Sequence, residues 1–136
     1  MKIDRTIKYV LSSELIFTLL PIIILLIVRS YENDYSKIFY NSEWSIISII
    51  LFGQSVVKFS SGIANSKETF RWQLVALVIS LIIVVGLIPA SIILVLNLTC
   101  SNISLGMAIL QLIVFIISVL SYCFIGAIGQ KMLEEK

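Results

Sequence analysis

The stretch WQLVALVISLIIVVGLIPASIILVL, residues 72–96, decides the fold class because it is long, apolar and free of charge. No charged residue occurs anywhere between Arg71 and Lys131. At the rise of an α-helix, about 20 residues cover the ~30 Å hydrocarbon core of a bilayer. The stretch therefore predicts a membrane-spanning helix, and the uncharged run that follows it has room for another.

Three further apolar segments lie outward from this one, at residues 9–28, 44–63 and 105–129. The second segment along the chain, 44–63, is the weakest because it contains a glutamine and a lysine. The chain as a whole is 59% hydrophobic and only 13% charged, whereas soluble domains are about 45–50% apolar and about 25% charged. The sequence predicts a single membrane domain over residues 1–136.

Helices, rather than barrel strands, are predicted for all four spans. Backbone groups in lipid must be paired within a helix or within a closed barrel, and barrel strands alternate apolar with polar residues. The run LLPIIILL at residues 19–26 does not alternate. The expected fold is thus an all-α membrane protein with a four-helix bundle, in which Pro21 and Pro89 are expected to kink their helices.

The basic residues predict the orientation of this bundle. Lysine and arginine are enriched in cytoplasmic segments. With four spans, two basic residues, Arg29 and Lys37, fall on one side. The other eight of the ten fall on the opposite side: Lys2, Arg5, Lys8, Lys58, Lys67, Arg71, Lys131 and Lys136. Both termini are therefore expected in the cytoplasm. A three-span chain with an external N-terminus is the alternative, with a weaker bias of seven to three.

Two ionisable residues fall inside predicted spans, and such residues are costly in lipid. Glu14 lies about five residues from the cytoplasmic start of the first span, and Lys58 lies about five from the cytoplasmic end of the second. Both side chains are thus expected at a depth of roughly 7 Å. We expect an intramembrane ion pair. It fixes the register of two helices, or it takes part in proton or cation movement; alternatively, Lys58 extends to the interface on its long stem.

Small residues predict where the helices pack. Small side chains let helices approach closely in lipid. In the second span Ser48, Ser55 and Gly62 repeat every seven residues, and Gly53 begins a second row. The third span contains Gly86 and Ala90 at a spacing of four. Gln54 in the second span and Gln111 in the fourth lie at comparable predicted depths, which predicts a hydrogen bond between them.

The sequence offers no catalytic machinery. It contains no histidine, and Cys100 and Cys123 form no Cys-x-x-Cys pair. Phosphate-binding loops, dinucleotide fingerprints and hydrolase motifs are also missing. We therefore expect no enzymatic activity, no cofactor, no metal and no nucleic acid bound directly. The 29–43 loop is aromatic, which is typical of an interfacial belt or of a surface that meets an external ligand.

Two membrane families resemble the chain. Small multidrug resistance transporters have four spans and an acidic residue in the first, which corresponds to Glu14. The chain departs from them because Lys58 is placed to neutralise that carboxylate, and because the first external loop is long. In size, span number and cytoplasmic termini the chain also resembles KwaA, the four-span component of the bacterial Kiwa phage-defence system. That resemblance implies an oligomeric membrane sensor in the bacterial inner membrane with a cytoplasmic protein partner.

The leading functional expectation is a non-enzymatic membrane subunit that acts as a sensor, anchor or scaffold in a larger assembly. Its expected partners are the lipid bilayer, further copies of the chain and a cytoplasmic protein. The alternative expectation is a small proton- or cation-coupled transporter or pore.

Overall fold

A computed structural model describes residues 5–33, 35–66, 69 and 72–134. Within these ranges the protein is helical and has no strand. The four long helices are α1 (Arg5–Tyr31), α2 (Glu43–Asn65), α3 (Trp72–Thr99) and α4 (Leu105–Glu134). Each contains the whole of its predicted span, and each is long and apolar enough to cross a membrane. The predicted all-helical class is confirmed.

Helix α2 is the centre of the bundle. It contacts α1, α3 and α4, and it is the most buried of the four helices, whereas α1 is the least buried. The least apolar helix is therefore the one that the other three cover. This arrangement accommodates the serines of the second span, since Ser45, Ser48 and Ser55 are buried inside the bundle.

Two clusters of buried side chains lie on different sides of α2. The first lies where α1, α2 and α4 meet and includes Leu51 and Tyr122. The second lies where α2, α3 and α4 meet and includes Phe52, Ile82 and Val114. Adjacent residues of α2 thus belong to different clusters, as expected for a helix with neighbours on several sides.

Both α3 and α4 contain a turn of π-helix, over Ile82–Leu87 and Tyr122–Gly126 respectively. The first π-turn lies directly before Pro89. A proline ring clashes with the carbonyl four residues earlier, and a wider turn at this position accommodates it. By contrast, α1 remains α-helical through Pro21.

A short 3-10 helix, Tyr35–Tyr40, connects α1 to α2. The indole of Trp44 donates a hydrogen bond to the Ile38 carbonyl at 2.8 Å. The ring of Trp44 also meets that of Phe115 edge to face, with centroids 4.9 Å apart. Trp44, at the start of α2, therefore joins the 3-10 helix to α4.

Candidate functional site

Glu14 and Lys58 meet between α1 and α2. The Lys58 Nζ atom lies 2.8 Å from the Glu14 Oε2 atom. Because α1 and α2 run in opposite directions, equal distances from the same end of the bundle bring the two side chains level. The structure thus brings together the two ionisable residues that the sequence placed at equal depth.

Two side chains of α4 extend this pair into a network across three helices. The Tyr122 hydroxyl donates to Glu14 Oε2 at 2.7 Å, and Lys58 Nζ donates to Gln130 Oε1 at 3.0 Å. One carboxylate oxygen therefore accepts from both an ammonium and a phenol. Charge-assisted hydrogen bonds of this kind are about twice as strong as neutral ones, so the network ties the peripheral helix α1 to the α2–α4 core.

The two members of the pair differ in exposure. The side chain of Lys58 is 14% exposed, and that of Glu14 is 41% exposed. The side chain of Lys58 is therefore mostly covered by protein, and its ammonium is bonded to both Glu14 and Gln130. The carboxylate, in contrast, reaches the outer surface of the helices.

That surface is a groove of about 430 Å³, which we call the α1–α2 groove. Its lining residues are Glu14, Ile50, Gly53, Gln54, Val57 and Lys58. Gln54 Oε1 is buried and has no hydrogen-bond partner among the residues that the structure describes. An unsatisfied buried acceptor costs about 1–3 kcal/mol. A hydrogen-bond donor that reached Gln54 Oε1 would therefore stabilise the protein.

Gly53 opens onto the same groove. A Cβ atom built on Gly53 would meet no described atom within 4 Å. Gly53 was predicted to pack against a neighbouring helix. It lies on an outward face of α2 that no other described helix covers, so this packing stays a prediction for a contact with another molecule.

The other small residues of α2 do lie inside the bundle. A Cβ on Gly62 would lie only 2.6 Å from the Gly129 carbonyl oxygen of α4. Ser48 and Ser55 are fully buried, and their hydroxyls donate to carbonyls of α2 itself at 2.7 and 2.8 Å. Such serines behave as small packing residues, because their polar groups are already satisfied.

The predicted small residues of α3 also pack. A Cβ on Gly86 would lie 2.6 Å from Cδ1 of the Phe52 ring, so the missing side chain makes room for that ring. Ala90 is fully buried in the second core cluster, beside Ile93. These contacts hold α3 against α2.

The predicted hydrogen bond between Gln54 and Gln111 is absent. The Gln111 amide instead accepts from Ser45 Oγ at 3.0 Å and from Asn97, and it donates to the Asn41 carbonyl at 2.6 Å. Gln54 lies nine residues beyond Ser45 on α2, which is about 14 Å along the helix axis. The two glutamines are therefore at different depths, and this prediction is wrong.

Several residues of these networks were missed from the sequence. Tyr122 and Gln130 belong to the ion-pair network, while Ser45 and Asn97 bind Gln111. One signal was present: Tyr122, Gly126 and Gly129 are spaced by four and then three residues, which places them on one face of a helix. Apart from this spacing, nothing in the apolar run around Tyr122 indicates that its hydroxyl bonds to Glu14.

The described part of the chain contains no group of three or more histidine, cysteine or acidic side chains that could hold a metal ion. Cys100 and Cys123 are both exposed, free thiols. In comparisons with known proteins, no protein-family model, curated protein or solved structure matches this chain.

Proposed function

We propose that the chain is a non-enzymatic, multi-pass membrane subunit that assembles with further copies of itself through the α1–α2 groove. In this proposal it acts as a sensor, anchor or scaffold within a larger assembly. The observation that carries the proposal is a half-exposed carboxylate, an unpaired amide oxygen and an open glycine, which lie together in one otherwise apolar groove.

Membrane placement is supported by the outer surface of the bundle. Large apolar side chains are exposed on every helix, for example Ile24, Leu77 and Ile116, which are 52%, 54% and 56% exposed. In water such a surface would drive aggregation. In a bilayer it contacts lipid tails that are equally apolar. The bias of basic residues supports cytoplasmic termini, and a bacterial inner membrane fits the layout.

A second copy suits the α1–α2 groove better than lipid tails do. Hydrocarbon offers no hydrogen bonds to Glu14 or Gln54, so both groups would be costly there. A glutamine amide is both a donor and an acceptor. Gly53 lets the backbones of two copies approach, and in this proposal the Gln54 side chains turn toward each other on assembly and pair.

The assembly proposal is tested by Gly53→Leu. A leucine here has space within the monomer but fills the groove, so we expect a folded monomer where the wild type is oligomeric. Native mass spectrometry in a mild detergent reads the outcome. Gly106→Leu is the matched control, because its Cβ would meet only the Ser104 Oγ atom, at 3.9 Å. A monomeric wild type, or an oligomeric Gly53→Leu variant, would contradict the proposal.

The likeness in layout to KwaA adds a soluble cytoplasmic partner and a role in phage defence to this proposal. The basic ends of the helices on the proposed cytoplasmic side suit such a partner. The test is whether a soluble protein encoded beside this chain co-purifies with it, and whether the two together reduce phage plaque formation. Loss of protection without the membrane subunit is the expected result.

A proton- or cation-coupled transporter is the second candidate, and one observation favours it. The Glu14 carboxylate is open to the groove as well as bonded to Lys58 and Tyr122. A transporter needs this carboxylate to bind and release a cation, whereas a scaffold needs it only for contact. Proteoliposome flux that Glu14→Gln abolishes, in a variant of unchanged stability and assembly, would support transport.

A further inference from the structure

We propose that a second groove, between α1 and α4, binds an anionic phospholipid, with the lipid phosphate at Lys8 and one acyl chain along the groove. The groove has a volume of about 250 Å³ and is distinct from the α1–α2 groove. This inference rests on the proposed membrane placement, with the start of α1 at the cytoplasmic interface.

The walls of the α1–α4 groove suit an acyl chain. Leu11 and Leu15 line it on α1, and Tyr122, Cys123 and Ala127 line it on α4. The Tyr122 hydroxyl is bonded to Glu14, so the polar atom of this tyrosine is already occupied. What remains for a ligand at this depth is an apolar surface, with little to attract a polar headgroup.

The polar end of the groove is formed by Lys8 and Ser12. Lys8 is exposed and makes no ion pair with the described residues. It lies one turn from Ser12 and two turns from Leu15, which is about 10 Å along α1. One leaflet of the hydrocarbon core is about 15 Å thick. A lipid with its phosphate at Lys8 therefore places its ester region near the Ser12 hydroxyl and its upper acyl chain along the leucines.

Charge at this end of the bundle favours an anionic headgroup. Lys8 is the charged residue that lines the groove. Of the carboxylates described here, Glu14 is paired with Lys58 and hydrogen-bonded to Tyr122, and Glu134 does not line the groove. Basic pockets between membrane helices on the cytoplasmic side select anionic lipids in this way.

The test uses the full chain in nanodiscs made from equal amounts of phosphatidylglycerol and phosphatidylcholine with identical acyl chains. Lipids that stay bound after transfer to detergent are counted by native mass spectrometry. We expect phosphatidylglycerol to be retained about fivefold over phosphatidylcholine, the selectivity of one lysine beside an anionic surface. Lys8→Gln should remove this selectivity, and Arg29→Gln, at the other end of α1, should keep it.

A second pair of variants tests the groove itself. Ser12→Trp fills the groove from an exposed position and should reduce the retention of both lipids. Ser13→Trp adds the same bulk at an exposed neighbour that does not line the groove and should leave retention unchanged. Equal retention of the two lipids by wild-type protein in nanodiscs would overturn the lipid site but leave the proposed assembly standing. A chain that fails to enter nanodiscs would overturn both.

Discussion

At the scale of single residues, Glu14 joins three helices, since it lies on α1 and is bonded to α2 and α4. Its Oε2 atom accepts from Lys58 at 2.8 Å and from Tyr122 at 2.7 Å. Removal of either donor leaves the carboxylate with fewer partners in an apolar surrounding. This costs more stability than replacing the charged residues together by apolar ones. Variants at these residues should therefore be strongly coupled.

The first prediction concerns the ion pair. Glu14→Gln leaves the Lys58 ammonium without its counter-charge and should lower the free energy of unfolding. Exchange of the two residues, Glu14→Lys with Lys58→Glu, should recover part of the loss, since the attraction is symmetric while each single change is not. A double-mutant cycle on unfolding measures the coupling. Additive effects, with no recovery in the exchanged protein, would show that the pair contributes nothing to stability.

The second prediction concerns Tyr122, which the sequence did not single out. Tyr122→Phe removes one hydrogen bond to a carboxylate and should lower the free energy of unfolding by about 0.6–2 kcal/mol, the range found for such bonds between membrane helices. In a Glu14→Gln background the loss should shrink. Tyr9→Phe is the matched control, because Tyr9 is 73% exposed. An equal loss in both backgrounds would mean that the hydroxyl acts elsewhere.

At the scale of whole helices, α2 organises the bundle through two kinds of glycine. Gly62 faces α4 at close range, whereas Gly53 faces the open groove. The sequence pattern grouped them because both lie in rows of small residues. Which row meets its own chain and which faces outward is a property of the packing, and this could not be read from spacing alone.

The third prediction separates these two glycines. Gly62→Ala places a methyl group 2.6 Å from the Gly129 carbonyl oxygen, and overpacking of this kind costs about 1–3 kcal/mol. Gly53→Ala meets no described atom and removes helix-interior flexibility, so the monomer should be stabilised by up to about 1 kcal/mol. Unfolding of both variants in one detergent compares them. Equal destabilisation by the two substitutions would refute the assignment of faces.

The fourth prediction concerns the end of the bundle that holds Gln111. This residue ties α4 to Ser45 of α2, to Asn97 of α3 and to the chain just beyond the 3-10 helix at Asn41. Gln111→Leu leaves these groups unpaired. It should increase hydrogen exchange over residues 38–42 and lower thermal stability.

Gln73→Leu is the control for this change, because Gln73 is exposed at the start of α3. It should leave exchange over residues 38–42 as in the wild type. Unchanged exchange in the Gln111→Leu protein would show that the glutamine does not hold the connection between α1 and α2.

At the scale of the whole molecule, the sequence was sufficient for the fold but only partly for the site. Long apolar runs set the number of helices, since each run is long enough to cross the hydrocarbon core as one helix. Equal depth was enough to relate Glu14 to Lys58, because a helix has a fixed rise per residue. Gln54 and Gln111 were wrongly placed at one depth, because predicted span ends are too coarse to fix how deep a single side chain lies. Tyr122 was missed because hydrogen bonding does not show in hydropathy.

The proposed orientation can be read from a native side chain. Cys100 is exposed just beyond the end of α3, on the side that the basic residues place outside the cell. A membrane-impermeant maleimide should label Cys100 in intact cells. A cysteine introduced at Lys67 should react only after the membrane is opened. Labelling of Lys67→Cys, and not of Cys100, in intact cells would reverse the orientation.

The central claim is that copies of the chain meet at the α1–α2 groove, and a disulfide cross-link tests it most directly. Val57 lines this groove and is 63% exposed, while Val84 is 60% exposed on α3, away from it. In membranes of a chain without Cys100 and Cys123, oxidation of Val57→Cys should give a covalent dimer, and oxidation of Val84→Cys should not. Cross-linking at Val84→Cys alone, or at neither position, would contradict the claim.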